Sequence, residues 1–285
     1  MAGAGDLPLP APARRAQRPR DGSHLQQRPG PHRRRSGRSR RGHRPPGRGF
    51  RGRGGSPRPG PPLRHRELST VAARVPIGVL ASGSGTNLQA LIDACGEPDY
   101  PATIAVVISN RRDAFALERA RRAGIPAVHV PRFRKRPRSE HDAAMVEVLR
   151  EHGVRWVCLA GYMLLVTPTL LDAFPDRVLN IHPALLPSFR GLHAQQQALD
   201  AGVRITGATV HFVTPGMDEG PIICQGAVPV RPDDDLERLR ARILQVEHRL
   251  YPLAVRQAVE GRLRLDGGRV RVDARPGEDN ALWGG

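Results

Sequence analysis

From residue 75 onward the chain alternates short apolar runs with amphipathic segments. Val75–Leu80, Ile104–Ile108, Ala127–Val130, Trp156–Ala160 and Val178–Ile181 each read as a buried strand. Between them, Leu88–Ala94, Ala114–Arg122 and roughly Ser139–His152 carry helical spacing, and Thr167-Pro168 opens a shorter helix. Gly124 is a C-terminal stop for the second of these, and Ser139 is a candidate N-cap for the third. Strand–helix alternation of this kind predicts a doubly wound, mainly parallel α/β sheet.

The pattern changes after His182. Ile205–Val213 alternates and is rich in β-branched residues, a Pro215–Pro221 turn follows, and Ile222–Cys224 with Ala227–Val230 returns, predicting an antiparallel extension. Asp233-Asp234-Asp235 should cap a long helix with apolar positions at Leu236, Leu239, Ile243, Val246, Leu250 and Leu253, stopped by Gly261. Arg262–Val272 suits a short hairpin, and Pro276–Gly285 reads as frayed.

Residues 1–70 break with all of this. They hold 18 Arg, no Lys and only Asp6, Asp21 and Glu67, a net of +15, whereas the rest has 27 basic and 24 acidic groups, a net of +3. Rich in Arg, Pro and Gly, they lack the apolar surface that would offset chain entropy, so an N-terminal disordered arm is expected. Two readings of the arm stay open. It binds nucleic acid without sequence preference, or it is a spurious upstream frame of a GC-rich coding sequence with translation starting near Val71. The single Lys135 against 44 arginines favours the second. The expected division is therefore 1–70 extension, 71–265 folded domain and 266–285 tail. The near-neutral domain argues against nucleic-acid binding by the folded part.

No apolar run reaches bilayer length and no signal peptide is evident, which predicts a soluble, cytoplasmic protein. Cys95, Cys158 and Cys224 have neither disulfide nor metal-ligand spacing and fit reduced thiols. No metal and no tightly bound cofactor is implied.

Two stretches carry chemistry. Ala81-Ser82-Gly83-Ser84-Gly85-Thr86-Asn87 joins a strand to a helix N-terminus, where backbone N–H groups and the helix dipole form an anion site. It lacks the third glycine of the dinucleotide fingerprint and the Gly-Lys-Ser/Thr of a P-loop, so a mononucleotide phosphate is the better fit. The second is Asn180-Ile181-His182-Pro183. The X-Pro step keeps His182 extended, so Asn180 and His182 share one side of the strand. An amide donor beside a group titrating near neutrality suits acyl transfer.

Taken together with Ser109–Ala120, Leu159-Ala160-Gly161-Tyr162-Met163, Gly191-Leu192-His193, His211–Thr214, Met217–Pro221 and Glu247-His248, these residues resemble the formyltransferases that use 10-formyltetrahydrofolate. The resemblance covers roughly residues 74–265 and is strongest to the branch that formylates glycinamide ribonucleotide in purine synthesis. It implies Asn180, His182 and Asp218 as the catalytic group, Asp218 raising the pKa of the imidazole. It implies Gly85, Thr86 and Asn87 at the substrate phosphate and Glu247 at the ribose or glycinamide end. Arg138, Met163, Leu164, Leu165, Val166 and Asn180 fall on folate-binding positions, although relatives often carry Arg in place of Leu164. The implied partners are the two small-molecule substrates, in a monomer or homodimer. A formyltetrahydrofolate deformylase is the nearer alternative. Methionyl-tRNA formyltransferase is disfavoured, because about 20 residues after Leu265 are too few for its tRNA-gripping barrel.

Overall fold

The computed structural model describes residues 73–283. Both readings of the N-terminal arm therefore lie outside the described residues. Sixteen elements run β1 (Val75–Leu80), α1 (Thr86–Gly96), β2 (Ala102–Ser109), α2 (Phe115–Arg122), β3 (Ala127–His129), α3 (Arg138–Glu151), β4 (Trp156–Leu159), α4 (Pro168–Ala173), β5 (Val178–His182), α5 (Ala194–Asp200), β6 (Ile205–Phe212), β7 (Ile222–Pro229), α6 (Leu236–Val259), β8 (Leu263–Asp266), β9 (Arg269–Val272) and β10 (Ala281–Trp283).

Eight strands form one sheet in the order β10-β7-β6-β5-β4-β1-β2-β3. Strands β1 to β5 are mutually parallel, and β6 pairs antiparallel with both β5 and β7. The period-2 alternation of each strand divides its side chains between two apolar layers. On one face Ile77 and Val79 of β1 join Leu88 and Leu91 of α1, Leu117 of α2, and Leu239, Ile243 and Leu250 of α6. On the other, Leu80 joins Met145 and Leu149 of α3, Leu170 of α4 and Phe174 just after it. Gly78 is small for a reason: a Cβ there would stand 2.3 Å from Leu149 Cδ2, so α3 could not approach as closely.

Two local expectations are corrected, and one element is new. Ser139 does not cap α3; the helix starts one residue earlier, at Arg138, with Pro137 at the N-cap and no side-chain cap. Pro137 supplies fixed extended geometry there instead of a hydrogen bond. As expected, Ile222–Pro229 is one strand, β7, and Gly226 in its middle lies under α6, where a Cβ would be 2.1 Å from Val246 Cγ1. The polar helix α5 was not anticipated. The end of the chain is not frayed as far as it is described. Ala281–Trp283 adds β10 parallel to β7, held by Gln225 N–H donating to the Asn280 carbonyl and by the Arg262–Glu278 ion pair at 2.5 Å. By contrast the β8–β9 hairpin and the Asp235 cap, which accepts from Arg238 N–H at 2.8 Å, are as expected.

Order reverses between β1 and β4, and in open α/β sheets ligands bind beyond the carboxyl ends at such a point. The Gly85 turn leaves β1, the Gly161 turn leaves β4, and His182 ends β5 beside them. Ser82 N–H donates to the Gly161 carbonyl at 3.1 Å, joining the first two turns. The buried Tyr251 of α6 places its hydroxyl 2.9 Å from the Leu159 carbonyl at the end of β4 and 3.2 Å from that of Leu179 in β5, tying α6 to both strands. No helix among the described residues is long and apolar enough to cross a membrane.

Candidate active site

At the end of β5 the side chains of Asn180 and His182 emerge on one side, as extended backbone requires. The loop after β6 brings Asp218 to them. His182 Nδ1 is 3.4 Å from Asp218 Oδ2, and its Nε2–H donates to the Phe189 carbonyl at 2.8 Å. Asp218 Oδ2 also accepts from Gly191 N–H at 2.8 Å. Thr209, fully buried on β6, accepts from Leu186 N–H and donates to the Ala184 carbonyl, so the chain leaving His182 is tied down. Phe189, His193 and Asp218 all have positive φ, near +54°, +60° and +53°. Among the described non-glycine residues only Asp176 shares that geometry, so backbone strain gathers where these loops meet.

At His182 the expected raising effect of Asp218 is present but outweighed. Burial pushes its pKa below the ordinary histidine value; the Phe189 carbonyl and the Asp218 charge pull the other way and His211 adds to the lowering. The net direction is down, so the imidazole is neutral near pH 7 and acts first as a proton acceptor. For Asp218, burial opposes ionisation, but the His211 contact, the Gly191 N–H and His182 hold its carboxyl down at about 2.

The folate positions separate. Leu164, Leu165, Val166 and Asn180 line one cavity of about 80 Å³ with Tyr162, His211 and Asp218. Met163 is exposed and lies outside that lining, but its N–H donates to Ser82 Oγ at 3.0 Å. Thr167 N–H donates to the buried Asp142, and Tyr162 meets His141 at 2.9 Å, so the apolar loop is pinned at both ends. Arg138 opens α3 as an exposed residue and is not part of the lining.

The glycine turn has the geometry of an anion site. Gly85 is the N-cap of α1 with φ +70° and makes no side-chain cap, which leaves first-turn N–H groups unclaimed. A Cβ on Gly85 would stand 2.8 Å from Ala116 Cα and Cβ. Gly85→Ala therefore combines a left-handed backbone with an overlap, and a loss of about 2–3 kcal/mol in denaturant unfolding is expected. Asn87 does not turn its side chain outward; its Nδ2–H donates to Glu247 Oε2 at 3.0 Å, and Glu247 is 4 % exposed. Burial lifts the Glu247 carboxyl to about 7, against the lowering effect of Asn87. A larger hollow of about 670 Å³ runs from Thr86 along α1 and α6, past Gln89 and His248.

His211 falls within a family motif of the sequence, but sequence reasoning assigned it no role in the site. It sits directly across from Asn180 in the β5–β6 register, 2 % exposed, with Nε2 3.1 Å from Asn180 Nδ2. The signal was available: Thr209 and His211 are polar alternates in the second half of the strand, hence on one face.

A family model described as formyl transferase matches residues 75–255. The phosphoribosylglycinamide formyltransferase of Haemophilus influenzae is 44% identical over 199 residues, covering 70% of this chain and 94% of that protein. The human trifunctional purine biosynthetic protein adenosine-3 is 43% identical across 70% of this chain, which spans only 20% of that longer protein. The crystal structure of glycinamide ribonucleotide transformylase 1 from Symbiobacterium toebii is 58% identical with a TM-score of 0.69, covering 70% of this chain and 94% of that one. Through its doubly wound sheet, its Asn-x-His strand end and these likenesses, the chain belongs to the formyl transferase family.

Proposed function

We propose that the chain transfers the formyl group of 10-formyltetrahydrofolate to the amine of 5′-phosphoribosylglycinamide, a step of purine biosynthesis. The observation that carries this reading is the meeting of Asn180, His182 and Asp218 at the sheet end that also bears the Gly85 turn. The 44% identity to a phosphoribosylglycinamide formyltransferase over nearly its whole length supports it.

In this reading the first-turn N–H groups at Gly85, Thr86 and Asn87 hold the substrate phosphate. Glu247 meets the ribose or glycinamide end. The pterin enters against Leu164, Leu165 and Val166, with backbone groups from Met163 onward, and Arg138 contacts the folate from the start of α3. The amine lone pair attacks the formyl carbon and the carbonyl π electrons move to oxygen, where an Asn180 N–H stabilises the developing charge. Neutral His182 takes the proton released by the amine, directly or through water, and the imidazolium so formed is stabilised by Asp218. Collapse of the tetrahedral centre breaks the bond to the tetrahydrofolate nitrogen, which leaves with the electron pair and receives the His182 proton. No covalent enzyme intermediate is needed.

The test is incubation with 10-formyltetrahydrofolate in the presence and absence of glycinamide ribonucleotide. Formation of tetrahydrofolate that depends on the amine, with equal formylated product, is expected. Folate turnover indifferent to the amine would instead favour a deformylase.

A further inference from the structure

We infer that His211 is a positioning residue whose Nε2 lone pair sets which end of the Asn180 amide faces the reacting formyl group. This rests on the function proposed above, in which Asn180 stabilises the oxyanion.

An asparagine amide has two orientations related by half a turn, one presenting N–H and the other a carbonyl oxygen. Only the first stabilises negative charge. The choice is made by a chain of donors and acceptors. His211 Nδ1 lies 2.8 Å from the Phe212 carbonyl, which can only accept, so Nδ1 carries the proton. In the neutral ring Nε2 is then a bare lone pair. It lies 3.1 Å from Asn180 Nδ2, so the amide donates one N–H to it and keeps the second N–H for the cavity that both residues line. A half-turn would set Oδ1 against Nε2, acceptor against acceptor, with His211 buried and Asn180 half-buried.

Asp218 competes for the same nitrogen. Its Oδ1 is 3.6 Å from Nε2, beyond a hydrogen bond, while its Oδ2 serves His182 and Gly191. A proton on Nε2 would turn that nitrogen toward Asp218 and away from Asn180. The Nδ1–H tautomer thus keeps Asn180 pointed and leaves Asp218 to His182. The β5–β6 register, which places Asn180 directly opposite His211, builds this contact into the backbone.

Two readouts on the full chain test it. In ¹⁵N–¹H multiple-bond spectra of imidazole-labelled protein, the signals lost in His211→Gln identify His211 in the parent. A protonated Nδ1 with a pyridine-type Nε2 is expected; the opposite tautomer or a cation near pH 7 overturns the inference. This readout needs no activity, so a wild-type chain without formyl transfer would refute the proposed function and leave the spectrum to decide this one. In steady-state assays, His211→Leu should lower kcat by roughly 10- to 100-fold with each KM within about threefold. His211→Gln, whose Oε1 can accept from Asn180, should return kcat to within about fivefold of wild type. If the Leu variant melts below assay temperature, His211→Asn, one carbon short of Asn180, replaces it. Wild-type kcat in Leu or Asn, or an equal loss in Gln, overturns the inference.

Discussion

Asp218→Asn is expected to lower kcat by roughly 10²- to 10³-fold while the protein keeps its fold. Asparagine tolerates the positive φ of +53° at this position as aspartate does. Its one remaining oxygen can still accept from Gly191 N–H, so the loop after β6 stays in place. What disappears is the negative charge 3.4 Å from His182 Nδ1. Burial already disfavours the imidazolium, and without that carboxylate the proton taken from the attacking amine has no stable site. The effect therefore falls on kcat, with KM nearly unchanged. Stability changes less. A carboxyl held at about 2 in the fold and at its ordinary value of 3.8 when unfolded contributes up to about 2 kcal/mol, present above pH 4 and lost as pH falls toward 2. The variant should accordingly melt lower at pH 7 and converge with wild type in acid. Near wild-type kcat with a normal melting curve would reduce Asp218 to a turn former.

Particular residues show where sequence was enough. The strand–turn–helix around Gly85 and the Asn180–His182 spacing are local facts, settled by pleat, proline and glycine geometry, and they place both stretches at strand ends. The meeting of Asp218 with His182 is a contact across thirty-six positions; a family resemblance could suggest it, but no periodicity could. His211 was legible in principle, yet required knowing that β6 pairs antiparallel with β5 in the register that opposes it to Asn180. The sign of the His182 shift was not legible at all. Charge pairing is visible from residue identity, whereas desolvation depends on how many layers cover the ring, and here burial outweighs Asp218. Strand β10 was missed because three residues with a single partner carry no pattern of their own; Gln257, buried against Asn280, and Arg262 against Glu278 hold them.

Glu247→Gln should separate binding from stability with opposite signs. The carboxyl is 4 % exposed, has Asn87 as its hydrogen-bond donor, and titrates at about 7 because burial penalises its charge. Between pH 4.5 and 7 the folded chain holds a proton that the unfolded chain has released, so stability falls as pH rises through that window. Above pH 7 the deficit is full, about 3 kcal/mol for a shift of this size. Glutamine is neutral throughout, and its oxygen can still accept from Asn87. Denaturant unfolding should therefore find the variant about as stable as wild type near pH 5 and more stable by up to about 3 kcal/mol at pH 8.5. A gap that does not widen with pH would mean that Glu247 is not held as an acid in the free protein. Function should move the other way. A carboxylate forced to ionise in a buried site has an unmet demand for donors, which hydroxyl or amine groups of a bound substrate can supply. The KM for glycinamide ribonucleotide should rise by roughly tenfold or more in the variant, with kcat changed less. In wild type that KM should improve as pH passes 7, a dependence that glutamine cannot show. A residue that weakens the empty fold and tightens the occupied one is serving the ligand, and this pair of measurements would read both halves of that exchange at Glu247.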